Sequence, residues 1–466
     1  MALSPTHPGA ETETAEGHRA TRGLLPLLFT GNAAMYALYI GVGSVLLPLQ
    51  VEQIDAAHKV ANLGLISGIA AIFATFFNPL AGALSDRSGR RNPWILGGGL
   101  AAVAAMALLG SVDTVLLVAI AWCLGQAVMN FYQSALTSVV PDRVPLGRRG
   151  AASAAVGLGL PVGSTIGVLV ASATSDHYRT GYLVLGLLVA LGAVVFTAGA
   201  KEQRMPEAGR PLGGGGAAPG HAPRRLLVSR RSSAATPSSA PPSHAPHHRS
   251  FTHPPTAGRP MSPAPLREQA AAFLGVLREH DFRWAFIGRW LLVLGYFAVV
   301  GYQLYILQDH IALPAGLEPT EAVAILTPVS AITMALSTVV GGVLSDRLDR
   351  RKLFVGVSAA LSGVALLIPV VSPTWPGMLV FAAVNGLAFG CFMAVDTALV
   401  TMVLPKAEDA ARDMGVLNIA NAGPQILAPF VASAVVALGG YTPLFVLGAL
   451  LSVLGALAVR PIRGVR

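Results

Sequence analysis

The sequence predicts an all-α membrane protein, with twelve transmembrane helices arranged as two pseudo-symmetric six-helix bundles. Three observations carry this. The chain is 53% hydrophobic and only 12% charged over 466 residues, with mean hydropathy +0.61, which is too apolar for a soluble protein of that length. Twelve apolar runs are each long enough to cross a bilayer. The second six runs repeat landmarks of the first six. Gly31-Asn32 returns as Gly288-Arg289, Gly82 as Gly342, Pro141 as Pro405 and Pro161 as Pro424, at offsets of 257 to 264 residues.

In chain order, residues 1–23 contain Glu11, Glu13 and Glu16 and no apolar run, so they read as a tail without a cleaved signal peptide. The first bundle, 24–199, holds spans at 24–50, 60–84, 94–112, 115–140, 151–174 and 181–199. Residues 200–280 form a linker. As far as Pro263 it is Pro, Ser, Gly, Ala, His and Arg with almost no large apolar residue, a composition that stays disordered. Its histidines are irregularly spaced among prolines and read as solvated. Leu266, Ala270, Phe273, Leu274 and Leu277 share one helical face, with Arg267, Glu268 and Arg278 off it, which predicts a short helix at 264–278 lying on the membrane surface. The second bundle, 281–460, holds spans at 284–308, 321–343, 352–371, 378–404, 416–438 and 442–459, and a short tail follows at 461–466.

Charge sets the expected orientation. Of 32 Lys and Arg, only Lys59 and Arg179 fall in loops on one side, and the other thirty lie in the tails, in the opposite loops or, for Arg289, in a span. The positive-inside rule then places both termini in the cytoplasm, and a plasma-membrane location is expected. The net charge of +9 is scattered over many short segments, which argues against a nucleic-acid partner. Cys123 and Cys391 sit inside apolar spans and offer neither a disulfide framework nor a zinc site. No His, Cys or carboxylate cluster occurs at one depth, so neither an enzyme, a metal nor a cofactor is expected.

The stretch 82–91, Gly-Ala-Leu-Ser-Asp-Arg-Ser-Gly-Arg-Arg, returns as 342–351, Gly-Val-Leu-Ser-Asp-Arg-Leu-Asp-Arg-Arg, each time between the second and third span of its half. This pattern resembles the signature loop of the major facilitator superfamily of secondary transporters. The resemblance implies a monomeric carrier of a small-molecule substrate, with a site between the bundles near the bilayer midplane and alternating access by rocking. It also implies gating residues at the inner face: Gly82, Asp86, Arg87, Arg90 and Arg91, and their counterparts Gly342, Asp346, Arg347, Arg350 and Arg351. Asp86 is expected to meet the N-terminal end of span eleven, and Arg90 to pair with Asp142. Span five carries Gly159, Gly163 and Gly167 on one face, read either as ordinary helix packing or as a smooth surface on which the bundles slide. Pro161 and Pro424 permit kinks.

Polar side chains in hydrocarbon cost free energy, so a polar helical face marks a wet cavity. Four spans show one. Span one has Asn32, Tyr36 and Tyr39; span four has Gln126, Asn130 and Gln133, with Thr137 a turn further on; span seven has Arg289, Tyr296 and Gln303; span ten has Asn385, Phe389, Phe392 and Asp396. Span eleven adds Asn421 and Gln425. Spans one, four, seven and ten line the cavity in the superfamily this chain resembles. Neutral amides and aromatic rings, with Trp290, suit a polyhydroxylated solute. Asp396 is the only carboxylate well inside a span, and Arg289 lies at a similar depth, so the two are expected to pair, either as a neutralising tie between spans seven and ten or as the proton-coupling site.

Two stretches in the second half are similar to the sugar–cation symporters of the glycoside-pentoside-hexuronide and sucrose type. These are Asp281-Phe282-Arg283-Trp284-Ala285-Phe286 with Gly288-Arg289, and Asn418-Ile419-Ala420-Asn421-Ala422-Gly423-Pro424-Gln425. Sodium-using members carry acidic residues in spans one and two, where this chain has Asn32 and Asn78, so protons are the expected coupling ion. A proton-driven exporter of drugs or metabolites is the alternative expectation, and a receptor or scaffold on the same fold is a third.

Overall fold

The structure, a computed structural model, describes residues 8–145, 148–200, 278–402 and 410–463. Among them twelve helices are long and apolar enough to cross a membrane: Gly23–Ile54, Lys59–Ser88, Asn92–Ser111, Val115–Arg143, Arg149–Ala173, Ser175–Gly199, His280–Val300, Pro319–Leu348, Arg351–Val371, Trp375–Asp396, Ile419–Gly439 and Tyr441–Ala458, here spans one to twelve. Large apolar side chains stand exposed on them, Leu116 at 69% and Leu336 at 59% among others. Apolar surface on this scale fits a lipid surround. Residues 201–277, and with them nearly all of the linker and its expected surface helix, lie outside the described residues.

The helices depart from the sequence expectation in four places. The first begins at Pro8, well before the apolar run, because residues 8–22 are rich in Ala and Glu, which favour helix without needing burial. Spans two and eight run on to Ser88 and Leu348, so the repeated polar stretch is mostly a last helical turn. The chain turns at Gly89 (φ 61°) and Asp349 (φ 49°), left-handed residues that end a helix. Span one contains a π-helical turn, Val42–Leu46, just before Pro48, whose missing N–H interrupts the ladder. Span seven stops at Gly301, a poor helix former, and a separate short helix, Gln303–Asp309, continues it.

The two halves are built alike. In the first, span one packs on five and six, two on four, and three on four and six; in the second, seven packs on eleven and twelve, eight on ten, and nine on ten and twelve. These are the same five pairs shifted by six. The two seams between halves, two with eleven and five with eight, exchange with each other under the same shift. The sequence repeat is therefore a structural pseudo-two-fold, of the parallel-repeat kind.

Glycine sets the closest approach in the first half. A Cβ at Gly163 would lie 2.2 Å from the Ala33 carbonyl oxygen, and one at Gly167 would lie 2.0 Å from that of Ala37. Lipid tails are as apolar as leucine, so helices in a membrane associate largely through such backbone packing. The glycine face of span five is thus used inside the first bundle, against span one. It does not face the other half, which removes the sliding reading; Leu160 and Ser164, elsewhere on span five, line a chamber shared with span eight.

Call the end holding the repeated stretches the basic end, and the opposite one the far end. At the far end the halves are joined by polar contacts. Lys59 bridges Glu52 of its own half (2.8 Å) and Asp309 of the other (2.9 Å), and Gln308 donates to Glu52 at 2.9 Å. Tyr305 donates to the carbonyl of Pro48 (2.8 Å), and the single hydroxyl hydrogen of Tyr302 is shared between the carbonyl of Val60 (3.2 Å) and that of Pro429 in its own half (3.0 Å). In sequence Lys59 was only one of two cations on that side, because its cross-half partner lies 250 residues away. Lys59→Gln is expected to weaken this seal by about 1 kcal/mol, roughly a fivefold rise in the far-open fraction. Labelling of a cysteine placed at Ser44 by an impermeant maleimide added at the far side measures it.

Candidate functional site

Polar side chains gather in two cavities, not one. The larger, about 780 Å³, lies between spans one, two, four and eleven, from mid-membrane toward the basic end. Tyr39, Gln126, Asn130, Gln133, Asn421 and Gln425 line it, and Thr75 and Asn78 of span two join them. Gln126, Asn130 and Gln133 share a helical face by their spacing of four and three. Thr75 and Asn78, also three apart, share a face of span two by the same rule. The smaller cavity, about 220 Å³, lies toward the far end, where Tyr296, Gln303, Asn385 and Phe389 meet Ser44 and Ser164. Tyr296 stacks on Phe389 with ring centres 3.8 Å apart.

Three expected cavity residues line neither space. Asn32 is buried, donates to the Leu28 carbonyl of its own helix at 2.8 Å, and packs beside Gly159 between spans one and five. Phe392 is buried in the core of the second half, and Tyr36 packs half-buried against the core of the first. Trp290 also misses the cavity: its ring lies against Gly423, where a Cβ would come within 2.2 Å. Span eleven therefore sits between span seven and the large cavity, and the expected wall of spans one, four, seven and ten becomes one of spans one, two, four and eleven. Periodicity identifies a polar face but not the neighbour that face meets.

Six amides, those of Asn78, Gln126, Asn130, Gln133, Asn421 and Gln425, line the large cavity, and none of its lining residues is charged. A few of their groups are used internally. Asn130 donates to the main-chain carbonyl of Gln126 at 2.8 Å and Gln425 to the main-chain carbonyl of Asn421 at 3.2 Å, while the Tyr39 hydroxyl reaches Gln133 only at 3.5 Å. Asn421 Oδ1 is also taken, by Arg289; the other side-chain amide groups of this wall offer donors and acceptors to a solute.

Behind this wall lies the buried pair. Arg289 of span seven donates through Nη1 to Asp396 of span ten at 2.8 Å and through Nε to Asn421 Oδ1 of span eleven at 2.9 Å. Both charged side chains are almost wholly buried, at 6% and 3% exposure. Asp396 closes span ten on the side of the basic end, and a lone charge buried this deeply would be costly. A guanidinium only donates, so the amide of Asn421 must turn its oxygen to Arg289 and its NH₂ elsewhere. One side chain thus touches both the ion pair and the cavity. The pair was legible in sequence; Asn421 as its third member was not.

At the basic end the hub is Arg91, not Arg90. Arg91 is buried, binds Asp86 at 2.6 Å and Asp142 at 2.8 Å, and donates to Ser85 at 2.8 Å. The expected Arg90–Asp142 pair does not form, because the left-handed turn at Gly89 leaves Arg90 exposed and carries Arg91 inward at the start of span three. In the second half Arg351 binds Asp346 at 2.7 Å, repeating the bond from Arg91 to Asp86. Arg87 and Arg347 occupy last helical turns, where a cation favours the helix dipole. Gly82 and Gly342 face Ser134 and Ala394, equivalent positions of spans four and ten. The meeting expected between Asp86 and the start of span eleven involves side chains outside the described residues. Arg91→Ala should cost about 1–3 kcal/mol by stranding Asp142 and Ser85, against less than about 1 kcal/mol for the exposed Asp86→Asn. Thermal unfolding midpoints of the two variants in detergent check that order.

Known proteins agree with this architecture. By fold the chain is similar to a bacterial homolog of the human lysosomal transporter Spinster, in an inward-facing and occupied conformation, with TM-score 0.65, 14% identity and coverage of 94% of this chain and 95% of that one. It is similar to a POT family transporter in complex with 5-aminolevulinic acid, with TM-score 0.66, 11% identity and coverage of 94% and 95%. In sequence it is 26% identical over 166 residues to the multi-drug resistance efflux pump PmrA of Streptococcus pneumoniae serotype 4, a match spanning 35% of this chain and 41% of the pump. The family model of the Major Facilitator Superfamily matches residues 28–318 and 285–465. The chain is a multi-pass membrane protein, and it belongs to the major facilitator superfamily of transporters.

Proposed function

We propose that the protein is a secondary active transporter of a small, neutral, polyhydroxylated solute, a sugar or sugar-like compound, moved by alternating access and coupled to protons. The observation that carries this reading is the large cavity, with six amides and no charged lining residue. Amides offer donors and acceptors together, which hydroxyl groups use in both senses, whereas a cationic drug gains most from a carboxylate. The basic end is taken to face the cytoplasm of a plasma-membrane protein. The far-end seal and a cavity reaching toward the basic end then fit an inward-facing state.

Coupling is assigned to Asp396. A proton on its carboxylate removes the charge that holds Arg289, and Arg289 in turn loosens its hold on Asn421 at the cavity wall. Proton and solute thereby act on the same side chain. A proton-driven drug exporter is the second reading, favoured by the match to the efflux pump. Purified protein in vesicles separates the two. Labelled sugars accumulating under an inward proton gradient, and collapsing with an uncoupler, support the first; gradient-driven movement of cationic dyes with no sugar uptake supports the second.

A further inference from the structure

A groove of about 920 Å³ opens at the basic end between spans nine and twelve, away from both cavities. Its walls are apolar and outward-facing: Leu353 is 52% exposed, Val357 56% and Leu457 42%. Its rim carries Arg350, Lys352 and Arg460, with Asp349 as the one acidic group, a net charge of +2. Lys352 donates to the carbonyls of Arg460 and Ile462, both at 2.6 Å, and so ties the start of span nine to the end of span twelve. The two arginines are exposed, and neither is ion-paired among the described residues.

The pseudo-symmetry shows that the tie itself does not need a charged donor. In the first half Asn92 makes the equivalent bond, to the carbonyl of Ala200 at 2.6 Å. Positions 92 and 200 correspond to 352 and 460 at the common offset of 260, and Arg90 corresponds to Arg350. The tie is made there by a neutral side chain, whose Oδ1 accepts from Arg143 at 3.1 Å, so the first half sets two cations, Arg90 and Arg143, where the second half sets three. Three cations against one carboxylate, above an apolar, lipid-facing slot, are charge complementary to an amphiphile with an anionic head and acyl tails. Such basic pockets between span ends lie at headgroup depth.

We propose that this groove is a binding site for one anionic phospholipid, its phosphate held by Arg350 and Arg460 and its acyl chains lying along Leu353, Val357 and Leu457. The test uses the full chain in nonionic detergent, with phosphatidylglycerol, phosphatidylcholine or inorganic phosphate added, and reads each variant against its own lipid-free thermal midpoint. Phosphatidylglycerol is expected to raise the wild-type midpoint more than phosphatidylcholine does, and phosphate alone to leave it unmoved. The double variant R350Q/R460Q should lose the phosphatidylglycerol increment, with roughly a thirtyfold lower affinity in native mass spectrometry, as two near-surface arginines imply. Gly356→Leu, which fills the slot and keeps every charge, should lose the increment as well, while Arg90→Gln at the symmetry-related position should keep it. Equal increments from the two lipids, an equal increment from phosphate, or an increment that survives both groove variants would each overturn the proposal.

Discussion

Asp396→Asn is expected to abolish accumulation of substrate against a gradient while exchange across the membrane continues. Asparagine keeps an oxygen where Asp396 Oδ2 accepts from Arg289, so the contact and the packing of spans seven and ten survive. What it removes is the group that can gain and lose a proton. Asp396→Leu has a different and larger structural effect. It leaves a buried guanidinium held only by the neutral Asn421, and stranding one partner of a buried pair costs about 3–5 kcal/mol. The leucine variant should therefore show a marked loss of thermal stability that the asparagine variant does not. Counterflow and proton-driven uptake in vesicles, measured beside the melting curves, separate coupling from scaffolding. An asparagine variant that still accumulates substrate with unchanged pH dependence would leave the pair a purely structural tie.

The second large effect is expected at the crossing of spans one and five. Gly167→Ala places a methyl group 2.0 Å from the Ala37 carbonyl oxygen, and the obstacle is backbone on a packed helix, not a side chain that can swing away. The helices must part, at a cost of about 1–3 kcal/mol or more, which in a marginally stable bundle should appear as poor expression and a lowered melting point. Gly157→Ala on the same helix is the control. A Cβ there meets nothing within 4 Å, so the exchange should be neutral or gain up to about 1 kcal/mol from helix propensity. A Gly167→Ala protein as stable as the wild type would mean that spans one and five sit further apart than described.

What the sequence carried, it carried through periodicity. Spans show because each needs some twenty apolar residues, and the repeat shows because Gly82-to-Arg91 chemistry recurs at 342–351. The pairing of Arg289 with Asp396 was legible from cost alone, since two lone charges in hydrocarbon must find each other. Position on a helix wheel does not encode a neighbour, however. Asn32 and Trp290 both sit on faces that looked like cavity wall, yet one meets span five and the other Gly423. Arg91 replaced Arg90 as partner of Asp142 through one residue of turn geometry, the left-handed Gly89. The far-end contacts were out of reach for another reason. Lys59 and Asp309 become neighbours only after both halves have folded and docked, so no local pattern announces them.

That far-end contact set also distributes responsibility unevenly between the halves. Tyr302 and Tyr305, both from the second half, deliver their hydroxyls to main-chain carbonyls of Val60 and Pro48 in the first. A carbonyl is present whatever side chain follows it, so the receiving surface is nearly indifferent to substitution, and only the two phenols can be lost. If the first half were exchanged for that of a distant relative with the same backbone path, these two bonds would still form; after exchange of the second half they would persist only where its donor also carries tyrosines. For these two bonds the side-chain information is written in the second half alone, whereas the contacts of Lys59 and Glu52 with Asp309 and Gln308 need the right side chain on both sides.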